Sequence, residues 1–264
     1  MFIAPLPTGE GLGVGSQQLT TMRYTFILAL LLTLGLAGCA LDNLEPPQST
    51  FEGRLVYKGE PLLMQSANAT GGNNSDFPVF LELWQKAYNN RSSIRIPIKQ
   101  DGSFSSVLFD GEYKLIVPNG QGPFLWKRTA TNTPDSLDVA VRGSQKLDIE
   151  VMPYYMVRSP QFTVSGRKIV GSVKLEKVIT DAVNGKAVER VSLYVNKTQF
   201  VDAGNSINKA DLAGAAITNL DNVSLTTADI PALVPSQSYV FVRIGLKIAG
   251  VEDMIYTPVQ KVNL

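Results

Sequence analysis

The side chains best suited to hold a ligand in this sequence are aromatic. Trp126 stands in a polar, turn-rich run, NGQGPFLWKRTATNTPDS, two positions after Phe124 and directly before Lys127 and Arg128. Aromatic faces pack on the apolar C–H faces of sugar rings while neighbouring polar groups read the hydroxyls. The same run also suits a loop anchor, with Trp126 plugged into one end of a sandwich. Tyr154 and Tyr155 lie in PYYMVRSP, where they either pack between two domains or line a groove between them. Trp84 ends the apolar run VFLELW and reads as core. Phe124, Trp126, Tyr154 and Tyr155 are therefore the candidate ligand-binding residues.

Catalytic chemistry finds little support. The 264 residues contain no histidine, which removes the commonest general base and the commonest metal ligand. A Ser-His-Asp arrangement is impossible, and neither a G-x-S-x-G elbow nor a phosphate loop is present. A carbohydrate-active enzyme with two carboxylates stays formally open, but nothing in the sequence pairs two acids for it. Cys39 is the single cysteine, so neither an intrachain disulfide nor a zinc–thiolate site can form. Asp101 and Asp110 each precede a glycine and read as turn formers rather than calcium ligands, since no D-x-D-x-D-G loop exists. The expectation is a non-enzyme with no catalytic residue, no metal and no cofactor. A net charge of +1 gives no basic excess for nucleic acid.

Cys39 has chemistry of another kind. Residues 22–39, MRYTFILALLLTLGLAGC, begin with a charge, continue through a short apolar core and end in small residues, the pattern of a secretory signal. The apolar stretch is about half the ~20 residues a membrane span needs. Leu36-Ala37-Gly38-Cys39 resembles the bacterial lipobox, which implies cleavage before Cys39 and its acylation. Several acyl chains would give a lasting membrane anchor. Residues 1–21 show no periodicity, and Met22 is the simpler start. Residues 1–38 thus read as leader and signal peptide and 39–48 as a tether stiffened by Pro46-Pro47. Asp42 and Glu45 resemble the acidic surface-export signal of Bacteroidota lipoproteins.

The elements that must position the aromatics are strands. Phe51, Gly53, Leu55 and Tyr57 share one face of an alternating run, followed by a polar loop at 65–76. Further strands are expected at 79–84, 94–98, from Phe104, at 112–117, 137–141 and 147–151. Pro97 points to an edge or a bulge, and Asp101-Gly102 and Asp110-Gly111 read as turns, the first joining a hairpin. Beyond Met152-Pro153, strands are expected at 161–164, 169–178, 188–196, 224–226, 239–248 and 255–262. Residues 208–218 read as a loop or one short helical turn. The fold class is all-β, with two tandem β-sandwich domains at 49–152 and 153–264, the second immunoglobulin- or fibronectin-like.

The segments FEGRLVYKGEPL, IPIKQDGSF and LFDGEYKLIV, in that order, resemble the carboxypeptidase regulatory-like and transthyretin-like β-sandwich over residues 50–152. In this reading Asp-Gly and Gly111 supply positive-φ turns, and Tyr113, Leu115 and Val117 form a core face. The whole chain resembles uncharacterised two-domain lipoproteins of Bacteroidota, through CALDNLEPP, QDGSF with DGEYKLIV, PYYMVRSP and VFVRIGLK. That resemblance implies an outer-membrane lipoprotein, often encoded beside TonB-dependent transporters and their glycan-capturing partner lipoproteins, and the expected place is the cell surface. Asp135-Ser136-Leu137 resembles the Bacteroidota O-glycosylation sequon, with Ser136 as acceptor. The expected function is an accessory lipoprotein of polysaccharide uptake that binds glycan or a transporter partner. The alternatives are a structural or adhesive protein-binding module and, least favoured, a carbohydrate-active enzyme.

Overall fold

The computed structural model describes residues 45–65, 79–86 and 92–264. Cys39, and all of the polar loop 65–76 except Gln65, lie outside them. Residues from Pro47 to Leu264 form one compact unit. Its first half carries β1 (Ser49–Tyr57), β2 (Glu60–Pro61), β3 (Phe80–Gln85), β4 (Ile94–Pro97), β5 (Ser103–Leu108), β6 (Gly111–Ile116), β7 (Phe124–Leu125), β8 (Leu137–Val141), β9 (Gln145–Lys146), β10 (Ile149–Glu150) and β11 (Met152–Pro153). Its second half carries β12 (Tyr155–Ser165), β13 (Lys168–Lys177), β14 (Val188–Asn196), β15 (Asn208–Ala213), β16 (Val223–Thr226), β17 (Tyr239–Ile248), β18 (Met254–Tyr256) and β19 (Gln260–Asn263). The protein is all-β, as its alternating apolar runs require.

In the first sandwich one sheet is built on β1, which pairs antiparallel with β5 and β2 and parallel with β9 and β10. The facing sheet runs β4-β3-β6-β8. Phe51, Leu55 and Phe104 from the first meet Leu81, Leu83, Tyr113 and Leu115 from the second, all essentially inaccessible to solvent. Each such side chain contributes roughly 1.5–3 kcal/mol by leaving water. Tyr57 is only half-buried, at the rim of that face. Pro97 sits on β4, the edge strand of its sheet, where its missing N–H costs no ladder bond. Trp84 points to the outer face of β3, opposite Leu81 and Leu83, and is half-buried rather than core.

The Asp-Gly turns do not make hairpins. Gly102 takes φ +79°, as expected, but β4 pairs with β3 and β5 with β1, so the turn carries the chain from one sheet to the other. Asp110-Gly111 likewise connects β5 to β6 across the sandwich. Gly111 is not in the positive-φ region; there Asp110 shapes the corner, its carboxylate accepting from Ser49 Oγ at 2.5 Å and Gly143 N–H at 2.9 Å.

The second sandwich sets β12-β13-β16 against β15-β14-β17-β18, with β19 also on β17. The stretch 208–218 is strand β15 followed by a single 3-10 turn at Gly214–Ala216. The run 255–262 is two strands, β18 and β19, laid along successive parts of β17. PYYMVRSP leads into the long strand β12, and Pro160 is accommodated by a register shift between Arg158 and Gln161. Immediately before it, β11 pairs with β7 of the first half. One continuous apolar cluster, from Phe51 to Ile255, runs through both sandwiches.

Candidate functional site

The sandwiches meet on a sheet buried on both faces. Val240, Val242, Ile244, Leu246 and Ile248 of β17 fill the core of the second sandwich. The opposite face carries Tyr194, Met254 and Tyr256, which form a second cluster with Val201 and draw in Leu63 of the first sandwich. On that face lies Arg243, 1% exposed. Its Nε donates to Thr257 O at 2.7 Å, Nη1 to Met64 O at 2.8 Å and Nη2 to Gln100 O at 3.1 Å. The guanidinium carbon lies 4.4 Å from the centre of the Tyr256 ring. Burial pulls its pKa down to about 10, which still leaves it charged at neutral pH. A cation from the second half thus bonds two carbonyls of the first. Tyr256 N–H donating to Leu63 O at 3.0 Å, and Arg158 pairing with both Glu60 and Glu176, reinforce the junction.

Two clefts open at this junction. The larger, of about 1030 Å³, is floored by Arg243 and Tyr256 and walled by Phe241 and Phe200, the latter 56% exposed. The smaller, of about 400 Å³, contains three of the four aromatic residues singled out from the sequence: Phe124, Trp126 and Tyr154. Lys127, Arg128 and Lys186 surround them, with Glu252 as the one carboxylate of the lining. Both clefts lie at the end of the first sandwich remote from Ser49, for one borders β2 and the turn after β4 and the other begins at Val117, beyond β6.

The aromatic residues do not form an open platform. Phe124 is 4% exposed because it belongs to β7 and packs into the core, not to a loop surface. Trp126 is half-buried, packs against the same core and donates its indole N–H to Asp135 O at 2.7 Å. It is both anchor and lining, with only part of a ring face left for a ligand. Tyr154 is buried except where it borders the cleft, and the Lys186 ammonium lies 5.6 Å from its ring centre. Tyr155 does not reach the cleft: it is 3% exposed and donates its hydroxyl to Lys186 O at 2.9 Å. Burial pushes both phenols above the usual tyrosine range. Ser136 is half-buried beside Lys114 Nζ, at 3.4 Å.

Gly122 ties this cleft to the second sandwich. Its N–H donates to Asp253 Oδ2 at 2.7 Å, a buried contact between the two halves. Its φ is +79°, and a Cβ there would stand 2.2 Å from the Phe124 ring, so only glycine fits. Burial pushes the Asp253 carboxyl up to about 6. The sequence drew attention to neither Arg243 nor Asp253. The one available signal for Arg243 was a charged residue in mid-strand within YVFVRIGLKI.

Asp101 accepts from Ser103 N–H at 3.1 Å and Ser103 Oγ at 2.7 Å, a turn cap. The described residues contain no group of three or more acidic or cysteine side chains placed to hold a metal ion.

Two family profiles cover nearly all of the described chain. Residues 49–152 match the N-terminal domain of a protein of unknown function, DUF3823, and residues 155–261 match the domain of unknown function DUF3823_C. The chain belongs to the DUF3823 family. A DUF3823 protein of Parabacteroides merdae superposes with a TM-score of 0.68 at 30% identity, over 83% of this chain and 100% of that one. A Bacteroides ovatus member gives 0.66 at 28%, over 82% and 100%. A Bacteroides uniformis protein described as a "putative carbohydrate binding protein" shares the fold, with a TM-score of 0.63 at 19% identity over 83% and 100%. No curated protein matches this DUF3823 chain.

Proposed function

We propose that this DUF3823 protein is a non-catalytic, lipid-anchored surface protein that captures a saccharide in the cleft lined by Trp126. The observation that carries the reading is the convergence of Phe124, Trp126 and Tyr154 on one polar cleft of about 400 Å³. Such a volume lies within the range of small-ligand sites, and an aromatic wall with a few polar groups is what a sugar ring needs. The cleft lies between two sandwiches locked by buried bonds, so its shape is set before the ligand arrives. The description of the Bacteroides uniformis relative agrees with this reading.

Binding of purified protein to a polysaccharide array tests it. Trp126→Ala is expected to weaken capture at least tenfold, the equivalent of about 1.4 kcal/mol. Equal binding by the variant would place the sugar elsewhere, and no binding across plant, host and microbial polysaccharides would defeat the reading. Anchoring follows from Cys39. Protease shaving of intact cells, with a periplasmic protein as leakage control, is expected to strip the protein, and Cys39→Ala to release it from membranes. A transporter partner, in this reading, co-purifies from those membranes.

A further inference from the structure

We infer that the saccharide taken by the Trp126 cleft is anionic, bearing a carboxylate or sulfate that Lys127, Arg128 and Lys186 bind together. The inference rests on the saccharide reading and specifies its ligand class. Three cations border a cleft of about 400 Å³ against one lining carboxylate, Glu252. They come from both halves of the molecule, Lys127 and Arg128 from the segment after β7 and Lys186 from the segment before β14. Among the described residues none of the three makes an ion pair, so each has its charge available to a ligand. Arg128 is held in place through Nη1, which donates to Asn132 O at 2.9 Å, leaving its other N–H groups to a ligand. Lys186 is steadied over the Tyr154 ring, at 5.6 Å.

The chemistry is complementary. A neutral sugar would leave three lining cations without a counter-charge, while an anionic group accepts charge-assisted hydrogen bonds from them. The aromatic wall and the cations then read two parts of one residue: the ring's C–H face on Trp126 and its acidic substituent on the basic side. Asp253 does not compete, because its Oδ2 already accepts from Gly122 N–H.

Affinity electrophoresis of the purified full-length protein decides this, with gels containing polygalacturonate, a sulfated galactan or a neutral galactan. Retardation by an acidic polymer and not by the neutral one is the expected result. Whichever acidic gel retards the protein identifies carboxylate or sulfate. Arg128→Gln and Lys186→Gln should each weaken that retardation about tenfold, while Lys174→Gln, at a remote ion pair, should leave it unchanged. Equal weakening by Lys174→Gln would mean diffuse attraction and overturn the inference. Retardation by neutral galactan alone, or acidic retardation lost in Trp126→Ala but intact in both charge variants, would overturn the inference while leaving saccharide capture standing. Retardation by none of the three gels overturns the inference, and a positive polysaccharide array would then show that saccharide capture itself still holds.

Discussion

The two clefts share one domain junction and put their arginines to opposite uses. In the larger, Arg243 bonds three carbonyls of the protein itself and is sealed from solvent. In the smaller, Lys127, Arg128 and Lys186 stand at the mouth without ion pairs among the described residues. The first arrangement joins two sandwiches; the second is open to something from outside. Volume alone would nominate the larger cleft, at about 1030 Å³ against about 400 Å³. The charge balance of the lining nominates the smaller, where three cations face Glu252 alone, while in the larger Lys99, Arg243 and Lys261 are set against Glu60 and Asp101.

The most forceful way to break this contrast is Arg243→Met, which keeps bulk but leaves Met64 O and Thr257 O without the guanidinium, while Gln100 O keeps only the bond from Met64 N–H at 3.2 Å. Each buried acceptor left unpaired costs about 1–3 kcal/mol, so two of them predict a loss of about 2–6 kcal/mol. Urea unfolding checks it, and a single transition splitting into two would show the sandwiches uncoupled. No such loss would mean the guanidinium is not a structural tie.

A smaller effect comes from Asp253, behind the small cleft. Its folded pKa of about 6 lies above its ordinary value of 3.8. The native state therefore holds a proton between those limits that the unfolded chain has released. The stabilisation is complete below about pH 4 and lost as pH rises through 6. Two pKa units correspond to about 2–3 kcal/mol. Asp253→Asn escapes that loss, so its stability relative to wild type should rise by about 2 kcal/mol from pH 4 to pH 7. A constant difference across that range would show that the carboxyl is not buried as described.

The smallest effect belongs to Phe200 in the larger cleft. Being 56% exposed, it should tolerate Phe200→Ser with a stability change within about 0.5 kcal/mol. Saccharide capture should not change either. A variant that lost capture would move the ligand to the larger cleft and reverse the contrast.

Much of the fold was legible because alternation reports burial directly. Phe51, Leu55, Tyr113, Leu115 and Val117 took the faces their spacing dictates, and Pro97 found an edge. The Asp-Gly pairs were read as turns correctly, but turn chemistry sets the local bend and not the partner, so a sheet-to-sheet corner passed for a hairpin. The strand expected at 161–164 begins earlier, at Tyr155, because a register shift absorbs Pro160 inside it. Three of the four candidate aromatics do meet in one cleft, while Tyr155, the first residue of β12, is buried away from it with its hydroxyl on Lys186 O. Arg243 was illegible because its role depends on Met64 and Gln100, far off in sequence, covering the outer face of β17.

The position of both clefts relative to Ser49 has a mechanical consequence. With the proposed anchor at Cys39 and the proposed saccharide capture, one would pull on the start of β1 and the other from the opposite end of the same sandwich. Tension would then run along β1, which has hydrogen-bonded neighbours on both edges: β5 on one and β9 and β10 on the other. Ladder bonds lie across the strand direction, so a lengthwise pull loads them together in shear instead of peeling them one at a time. Under that proposal the first sandwich would bear load between a membrane and a catch.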